Sequence, residues 1–431
     1  MADLNRSASF NQASSSFRQH LPDLSIPRFT VSKTQNAYEY ADDFKKNHVP
    51  PWLYNLTETW KELLEEPFKG VTNDGNVREG LFELQDMGVD IDGVCRATTK
   101  VLDQCTPDQK QKLQYPVNAR EWRAWSNPEF LLRPFGLRLE DLPSDLATSI
   151  LGVLEVSFSP EGYQKALAAM RINHFLGEIC DVTKIMNQHS YNFLLFGSPS
   201  TEKDKPWGWL LYGHHLCLAV FFKGTHMTIS PTFTGAEPNI IDAGPWSGTE
   251  ILHTEGKIGL KLMQSLPQNQ KDQAQIFKLM RDPDMQQSGD LKTDRWNQDD
   301  QRHLCGAFRD NRIVPYEGIT VSSLQPHQKN IVLDIVEQFT LYLPQQARQM
   351  RKEQVRQHFD ETYFCWIGGY GDEDAFYYRI QSPVIVCEFD HHSGVFLTNK
   401  EPAKFHTHTI LRTPNAGDYG NAVRADGEKV R

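Results

Sequence analysis

The sequence lacks the marks of several protein classes. No uninterrupted apolar run approaches the roughly 18 residues that cross a membrane as a helix, which argues against an integral membrane protein. There is no stripe of basic residues and the formal net charge is −10, so no nucleic-acid partner is expected. The chain is 39% hydrophobic and 11% aromatic, which excludes a disordered protein and predicts a sizeable core.

Cysteine is sparse and irregularly spaced. The seven cysteines include no CxxC pair, so neither a disulfide framework nor a zinc ribbon is predicted. We expect free thiols in a reducing compartment. Residues 1–17 hold no apolar stretch of the secretory type, and the last three residues are not a peroxisomal signal. The predicted location is therefore the cytoplasm.

The common catalytic motifs are also missing. There is no GxSxG nucleophile elbow, no HExxH zinc-protease helix and no Walker-type phosphate loop. The glycine-rich segment 368–371 is not followed by the helix that a dinucleotide site requires. Any chemistry must come from residues that the fold brings together.

Hydrophobic patterns divide the chain into an arm, one domain and a tail. Residues 1–35 predict a flexible arm and residues 421–431 a flexible tail. Between them, residues 36–420 predict a single domain, helical over 37–180 and mixed over 190–420. This order predicts an α+β fold, in which a helical N-terminal half packs on a largely antiparallel sheet formed by the C-terminal half. Within it, the Gln- and Asp-rich stretch 268–302 predicts a long surface excursion.

Histidines in the second half form three clusters. His406 and His408 are two residues apart, so on a strand both imidazoles lie on one face, as a metal site requires. Glu388, Asp390 and His392 share a face of the preceding predicted strand by the same period. His214 and His215 are adjacent, so a regular strand sends them to opposite faces, and only one joins the site unless a bulge intervenes. Solvated or core histidines remain the alternative interpretation.

Two further segments carry polar residues beside aromatic ones. In residues 121–127, Arg123 lies between Trp122 and Trp125, where it could clamp an anionic substrate or be a surface arginine beside two core tryptophans. Asp360 and Glu361 could supply a general base or form a charged connector between a helix and a strand.

Several short motifs are recognisable as a set. They are EPFKGVT at 66–72, EWRAWSN at 121–127, PWGW at 206–209, GHHL at 213–216, PTF at 231–233, GAEP at 235–238, HFDETYFCW at 358–366, YYRI at 377–380, EFD at 388–390, HTHT at 406–409 and DYG at 418–420. Together they resemble the family catalogued as domain of unknown function 3500, which occurs in fungi and bacteria. The resemblance covers roughly residues 45–420 and is closer to the fungal branch.

The resemblance implies one family-length domain with a shared polar site, and it implies no reaction. The family pattern keeps seven polar residues and departs at His391 and His392, which are therefore set aside as ligands. The residues kept are His214, His215, Glu237, Glu388, Asp390, His406 and His408.

We therefore expect an enzyme that uses a divalent metal ion on a small aromatic or acidic molecule. A non-haem iron oxygenase is favoured over a zinc-type hydrolase, and manganese or copper stays open, as does the oligomeric state. The alternatives are a metal-free acid–base cyclase or isomerase and a small-molecule binding protein. The predicted metal ligands are His214, His215, Glu237, Glu388, His406 and His408; the predicted catalytic residues are Asp360, Glu361, Asp390 and Arg123; the predicted substrate contacts are Trp122, Trp125, Trp207, Trp209, Tyr378 and Arg379.

Overall fold

The computed structural model describes residues 16–431. No helix in this range is long and apolar enough to cross a membrane. The α-helices are Pro27–Ser32, Ala37–Asn47, Pro51–Glu65, Ile91–Gln104, Pro107–Leu113, Ser144–Ser157, Pro160–Ile179, His253–Ser265, Gln268–Ala274, Pro326–Phe339 and Gln345–Gln357. Short 3-10 helices are Ser16–His20, Arg120–Arg123, Leu139–Asp141, Val321–Ser323, Phe359–Glu361, Asp418–Val423 and Asp426–Glu428.

The strands belong to one sheet, with the order β1-β3-β4-β5-β6-β12-β11-β10-β9-β7, to which β2 adds beside β3 and β8 beside β9. They are β1 (Gln114–Tyr115), β2 (Leu137–Arg138), β3 (Tyr191–Phe196), β4 (Trp207–Gly213), β5 (Leu216–Lys223), β6 (His226–Ala236), β7 (Gln275–Phe277), β8 (Ile319–Thr320), β9 (Tyr363–Gly368), β10 (Phe376–Gln381), β11 (Val386–His392) and β12 (Ala403–Arg412). Short β1 and β7 pair in parallel, and the long strands pair antiparallel. The predicted α+β fold is confirmed.

Local chemistry explains where the helices begin. The Thr106 hydroxyl accepts the N–H of Gln109, and the Gln109 side chain accepts the N–H of Thr106 in return. The Ser159 hydroxyl accepts the N–H of Gly162 at 3.0 Å. A proline follows each cap at the first helical position, where no backbone N–H is needed.

Both faces of the central sheet are covered. On β3, Phe193 belongs to the core under helix Pro160–Ile179, whereas the next residue, Leu194, belongs to the core under helix Pro51–Glu65. Antiparallel sheets commonly leave one face to water, but β11 is buried along its whole length. Polar side chains on the central strands therefore lie inside the protein, where each needs a partner or a function.

The arm and the tail differ from the prediction of flexible ends. Residues 1–15 lie outside the described part of the chain. Beyond them, Phe17 is fully buried against Phe175, with ring centroids 6.1 Å apart, and Phe29 is buried as well. At the other end Val430 is buried, and its N–H donates to the Asn421 side chain at 2.7 Å. Apolar side chains that reach the core hold both segments in place.

We predict that Phe17→Ala releases residues 16–35 from the core. Loss of a buried phenylalanine costs about 3 kcal/mol, which corresponds to a roughly 100-fold larger open population. Limited proteolysis should cut this segment faster by that factor. Leu24 is 37% exposed, so Leu24→Ala serves as the control and should leave the rate unchanged. Equal rates for both variants would contradict the docking.

Candidate metal centre

Strand β12 brings His406 and His408 to the centre of the sheet. It is paired with β6 on one side and β11 on the other, so that His408 lies opposite Gly235 and opposite Asp390. The predicted common face is confirmed, because the two Nε2 atoms of His406 and His408 are 3.1 Å apart. Both rings are buried.

The pair His214 and His215 forms the two-residue turn between β4 and β5. His215 has a positive φ of 60°, a conformation that costs a non-glycine residue free energy. The two residues therefore do not have the strand geometry that would place their rings on opposite faces. The rings stack instead, with their centroids 3.9 Å apart. His214 Nδ1 lies 2.8 Å from the side-chain oxygen of Asn173, whereas His215 Nε2 lies 3.1 Å from His408 Nε2. His215 is thus the member of the pair that meets β12.

Three imidazole nitrogens converge at this point. Nitrogens bound to one ion at about 2.1 Å are about 3.0 Å apart at octahedral angles and about 3.4 Å at tetrahedral angles. The two separations of 3.1 Å made by His408 with His215 and His406 fall in this range. The ligand atoms of the three residues lie within 4.8 Å of one another. We call His215, His406 and His408 the first triad.

A second group of histidines adjoins the first. The ligand atoms of His303, His392 and His408 also lie within 4.8 Å of one another, and all three rings are buried. A register shift between His391 and His392 ends the regular pairing of β11 and β12, and bulges of this kind change where a side chain points. His392 nevertheless lies in this group, on the strand face that its spacing from Asp390 predicts, although the family resemblance set it aside. His391 accepts the N–H of Phe376 outside the cluster.

His303 was missed in the sequence. It follows the stretch 268–302, which was predicted to lie on the surface; in the structure, Arg302 and His303 at its end are buried. Glu388 holds this loop, because its carboxylate accepts the N–H groups of Leu304 and Cys305 at 2.8 and 2.9 Å. A single histidine without a second one at strand spacing gives no signal in a sequence.

Two of the predicted carboxylate ligands anchor loops instead. Besides the loop contacts above, Glu388 accepts the Tyr377 hydroxyl at 2.6 Å. Burial works to raise the pKa of Glu388, yet nearby positive charge and these hydrogen bonds hold it below its usual value. Glu237 accepts the N–H groups of Val395 and Leu397 at 2.8 and 2.9 Å. Its oxygen is also 3.7 Å from His406 Nδ1, a separation too long for a hydrogen bond.

The third predicted carboxylate, Asp390, lies within the cluster. Its Oδ1 accepts the Arg302 guanidinium at 2.6 Å, and its Oδ2 lies 3.2 Å from His392 Nε2. Burial, followed by the neighbouring imidazoles, lowers the pKa of His215, His392 and His408 well below the usual value. This shift favours the neutral imidazole, which is the form that binds a metal ion.

A cavity of about 650 Å³ opens onto the cluster, and we call it the histidine cavity. The rings that reach it are His214, His215, His392, His406 and His408. Its apolar wall includes Val31, Pro50, Trp52, Leu53 and Phe130, and its polar lining includes Arg28, Tyr40, Asn127, Glu129 and Asp299.

The predicted catalytic residues Arg123, Asp360 and Glu361 lie outside this cavity. Arg123 is buried and donates to Asp310 at 3.2 Å and to the Glu66 and Leu63 carbonyls, so it ties three chain segments together. Asp360 is exposed, and Glu361 forms a surface ion pair with Arg78.

The predicted substrate contacts are core residues. The four tryptophans are fully buried, and none of them lines the histidine cavity, whose tryptophan is Trp52. Arg379 donates to Glu317 at 2.6 Å, and the Tyr378 hydroxyl donates to the Glu255 carbonyl at 3.0 Å. The core tryptophans are Trp122, Trp125, Trp207 and Trp209.

Comparison with known proteins identifies the family of this chain. The model of the family described as "Protein of unknown function (DUF3500)" matches residues 87–421. The chain belongs to this family. No curated protein and no solved structure is significantly similar to it. The matched range contains every histidine of the two groups, whereas the wall residues Arg28 to Leu53 precede it.

Arg123→Ala should destabilise the protein without altering the cluster. Removing Arg123 leaves the Glu66 and Leu63 carbonyls without this donor and takes one of two arginine partners from the buried Asp310, which keeps Arg412 at 2.7 Å. We expect a loss of about 2–3 kcal/mol. Urea unfolding measures this loss, and the metal content should stay that of the unmodified protein. Arg120→Ala is the control, because its ion pair with Glu65 is exposed and should contribute less than about 1 kcal/mol. A fall in metal content without loss of stability would contradict the structural role.

Gly235→Ala should displace the first triad. A Cβ at this position would lie 2.8 Å from ring carbons of both His215 and His408, closer than real side chains pack. We expect at least a tenfold weaker affinity for Co²⁺, measured by equilibrium dialysis. Gly152→Ala is the control, since its Cβ would meet no atom within 4 Å. Unchanged affinity in Gly235→Ala would show that the triad does not bind the ion.

Proposed function

We propose that the protein is a metal-dependent enzyme that acts on a small molecule bound in the histidine cavity. One observation carries the proposal: His408 Nε2 lies 3.1 Å from the Nε2 atoms of both His215 and His406. Three buried imidazoles that converge beside an open cavity leave coordination positions for substrate or water, as catalytic metal sites do.

The donor set bears on the choice of metal. Iron was favoured for a site with two histidines and one carboxylate, but Glu237 and Glu388 accept backbone N–H groups instead. Three imidazoles suit zinc and copper as well as iron. We keep an oxidoreductase that uses a redox-active ion as the leading proposal, with a zinc-type hydrolase as the alternative.

The ion would polarise a bound oxygen atom or activate water or dioxygen. Protein groups around it are suited to proton transfer. Burial raises the pKa of Glu129, and burial together with the Asp300 carboxylate raises the pKa of Asp299 well above its ordinary value. Both side chains line the cavity and would hold a proton near the substrate. The same two groups support the alternative of metal-free acid–base catalysis.

The lining suggests the kind of substrate. Trp52, Leu53 and Phe130 offer an apolar surface for an aromatic or aliphatic body, and Arg28 offers a positive charge for an acidic group. The Asn127 side-chain oxygen is buried without a hydrogen bond and would accept one from a ligand. Arg28 thus takes the orienting role predicted for Arg123 and Arg379.

The cytoplasmic location remains a prediction. The seven cysteines are free, and six of them are buried. Free thiols persist in reducing compartments, which supports this location.

Elemental analysis tests the proposal. Protein purified without a His tag or chelators should hold at least about one equivalent of a transition metal or zinc, and His406→Ala should lose about one equivalent. The reason is that removal of one of three ligands weakens binding by orders of magnitude. Inductively coupled plasma mass spectrometry measures the content and identifies the metal.

His226→Ala is the matched control. His226 is a half-buried histidine on β6 that accepts the N–H of Gln85, outside both histidine groups. This variant should retain its metal. Metal below about a tenth of an equivalent after reconstitution with iron, copper and zinc would overturn the proposal and favour the acid–base alternative.

A further inference from the structure

The second group of histidines has buried polar atoms that the first triad does not use. His303 is fully buried, and neither of its ring nitrogens has a hydrogen-bond partner. Leaving such groups unsatisfied destabilises the folded state. A neutral imidazole has one nitrogen lone pair for which the surrounding protein supplies no donor, and a metal ion would use it.

Asp390 and His392 show the same feature. Asp390 Oδ2 and His392 Nε2 are 3.2 Å apart, yet their orientation makes no hydrogen bond and neither atom has another partner. The Arg302 guanidinium donates to the other oxygen of Asp390, Oδ1, and does not hydrogen-bond Oδ2. A separation of 3.2 Å fits two ligands on one ion as well as the 3.1 Å of the first triad.

His392 is also held as ligating histidines usually are. Its ring hydrogen-bonds the backbone of Asp300, which leaves Nε2 as the free nitrogen. A hydrogen bond from the ring nitrogen that does not bind the metal fixes the tautomer and the orientation of a ligating imidazole.

His408 lies between the two groups. Its ring centroid is 4.9 Å from those of His215 and His406, 3.9 Å from that of His392 and 5.8 Å from that of His303. Its Nε2 belongs to the first triad, and its Nδ1 is buried without a hydrogen-bond partner.

We propose that His303, His392 and His408 bind a second metal ion beside the first, so that the protein has a dinuclear centre in which His408 lies between the two ions and Asp390 adjoins His392. This inference rests on the proposed function, because the second ion adjoins the one held by the first triad. Imidazole ligands suit copper, iron or zinc. Two ions about 3.5–4 Å apart can hold both oxygens of a bound group, as in other two-metal sites.

Counting the ions tests the proposal. Metal-free protein is dialysed against Co²⁺ at equilibrium, and bound metal is measured per chain. We expect about two equivalents in the unmodified protein, about one in His303→Ala and about one in His215→Ala, because each variant loses one site and keeps the other. The control His226→Ala should keep about two.

Loading with Cu²⁺ gives a second readout that does not depend on activity. Two neighbouring copper ions couple magnetically, so the electron paramagnetic resonance signal of the unmodified protein should integrate to well below two spins. His303→Ala should give the signal of one isolated ion. Should His303→Ala fail to fold by circular dichroism, His392→Ala replaces it with the same expected count.

The outcomes separate the two proposals. One equivalent in the unmodified protein, retained in His303→Ala and lost in His215→Ala, would overturn the second site and leave the proposed function standing. No bound metal in any variant would overturn both.

Discussion

The pairing of β12 with β6 and β11 is the constraint on which the candidate centre depends. It fixes His408 opposite Gly235 and Asp390, and a slip of one residue would turn both β12 histidines to the other face. Gly235 is part of this constraint, because its missing side chain leaves room for the rings of His215 and His408. Register and one glycine together determine whether the rings meet.

Burial has opposite consequences for the acidic and the basic groups of the site. Glu237 and Glu388 are fully buried, but each accepts backbone N–H groups that compensate for lost water and hold a loop against the sheet. The histidines receive fewer such contacts, and several of their nitrogens have none. The protein thus satisfies these two glutamates internally and leaves imidazole nitrogens and Asp390 Oδ2 for a ligand, whose binding would stabilise the folded state.

Much of the fold could be predicted from local signals, since proline-led caps and alternating apolar residues act over a few positions. The side-by-side arrangement of His406 and His408 follows from the period of a strand in the same way. His392 likewise shares a face of β11 with Asp390 by this period. By contrast, His303 reaches the cluster through a loop held by Glu388, about 85 residues further along the chain. Such a long-range contact leaves no pattern in the neighbouring sequence. The same holds for Arg123, whose partners decide that it is structural.

The centre and the wall of the cavity come from different parts of the chain. The histidines lie on paired strands and their connecting turns within the range of the family model, residues 87–421. Arg28, Tyr40 and Trp52 lie on the N-terminal helices that precede this range and cover the cavity from outside. Paired strands hold ligand atoms rigidly, as metal binding requires, whereas peripheral helices can change with little effect on the sheet. The strands would therefore determine the chemistry, and the N-terminal helices would determine which molecule is admitted to it.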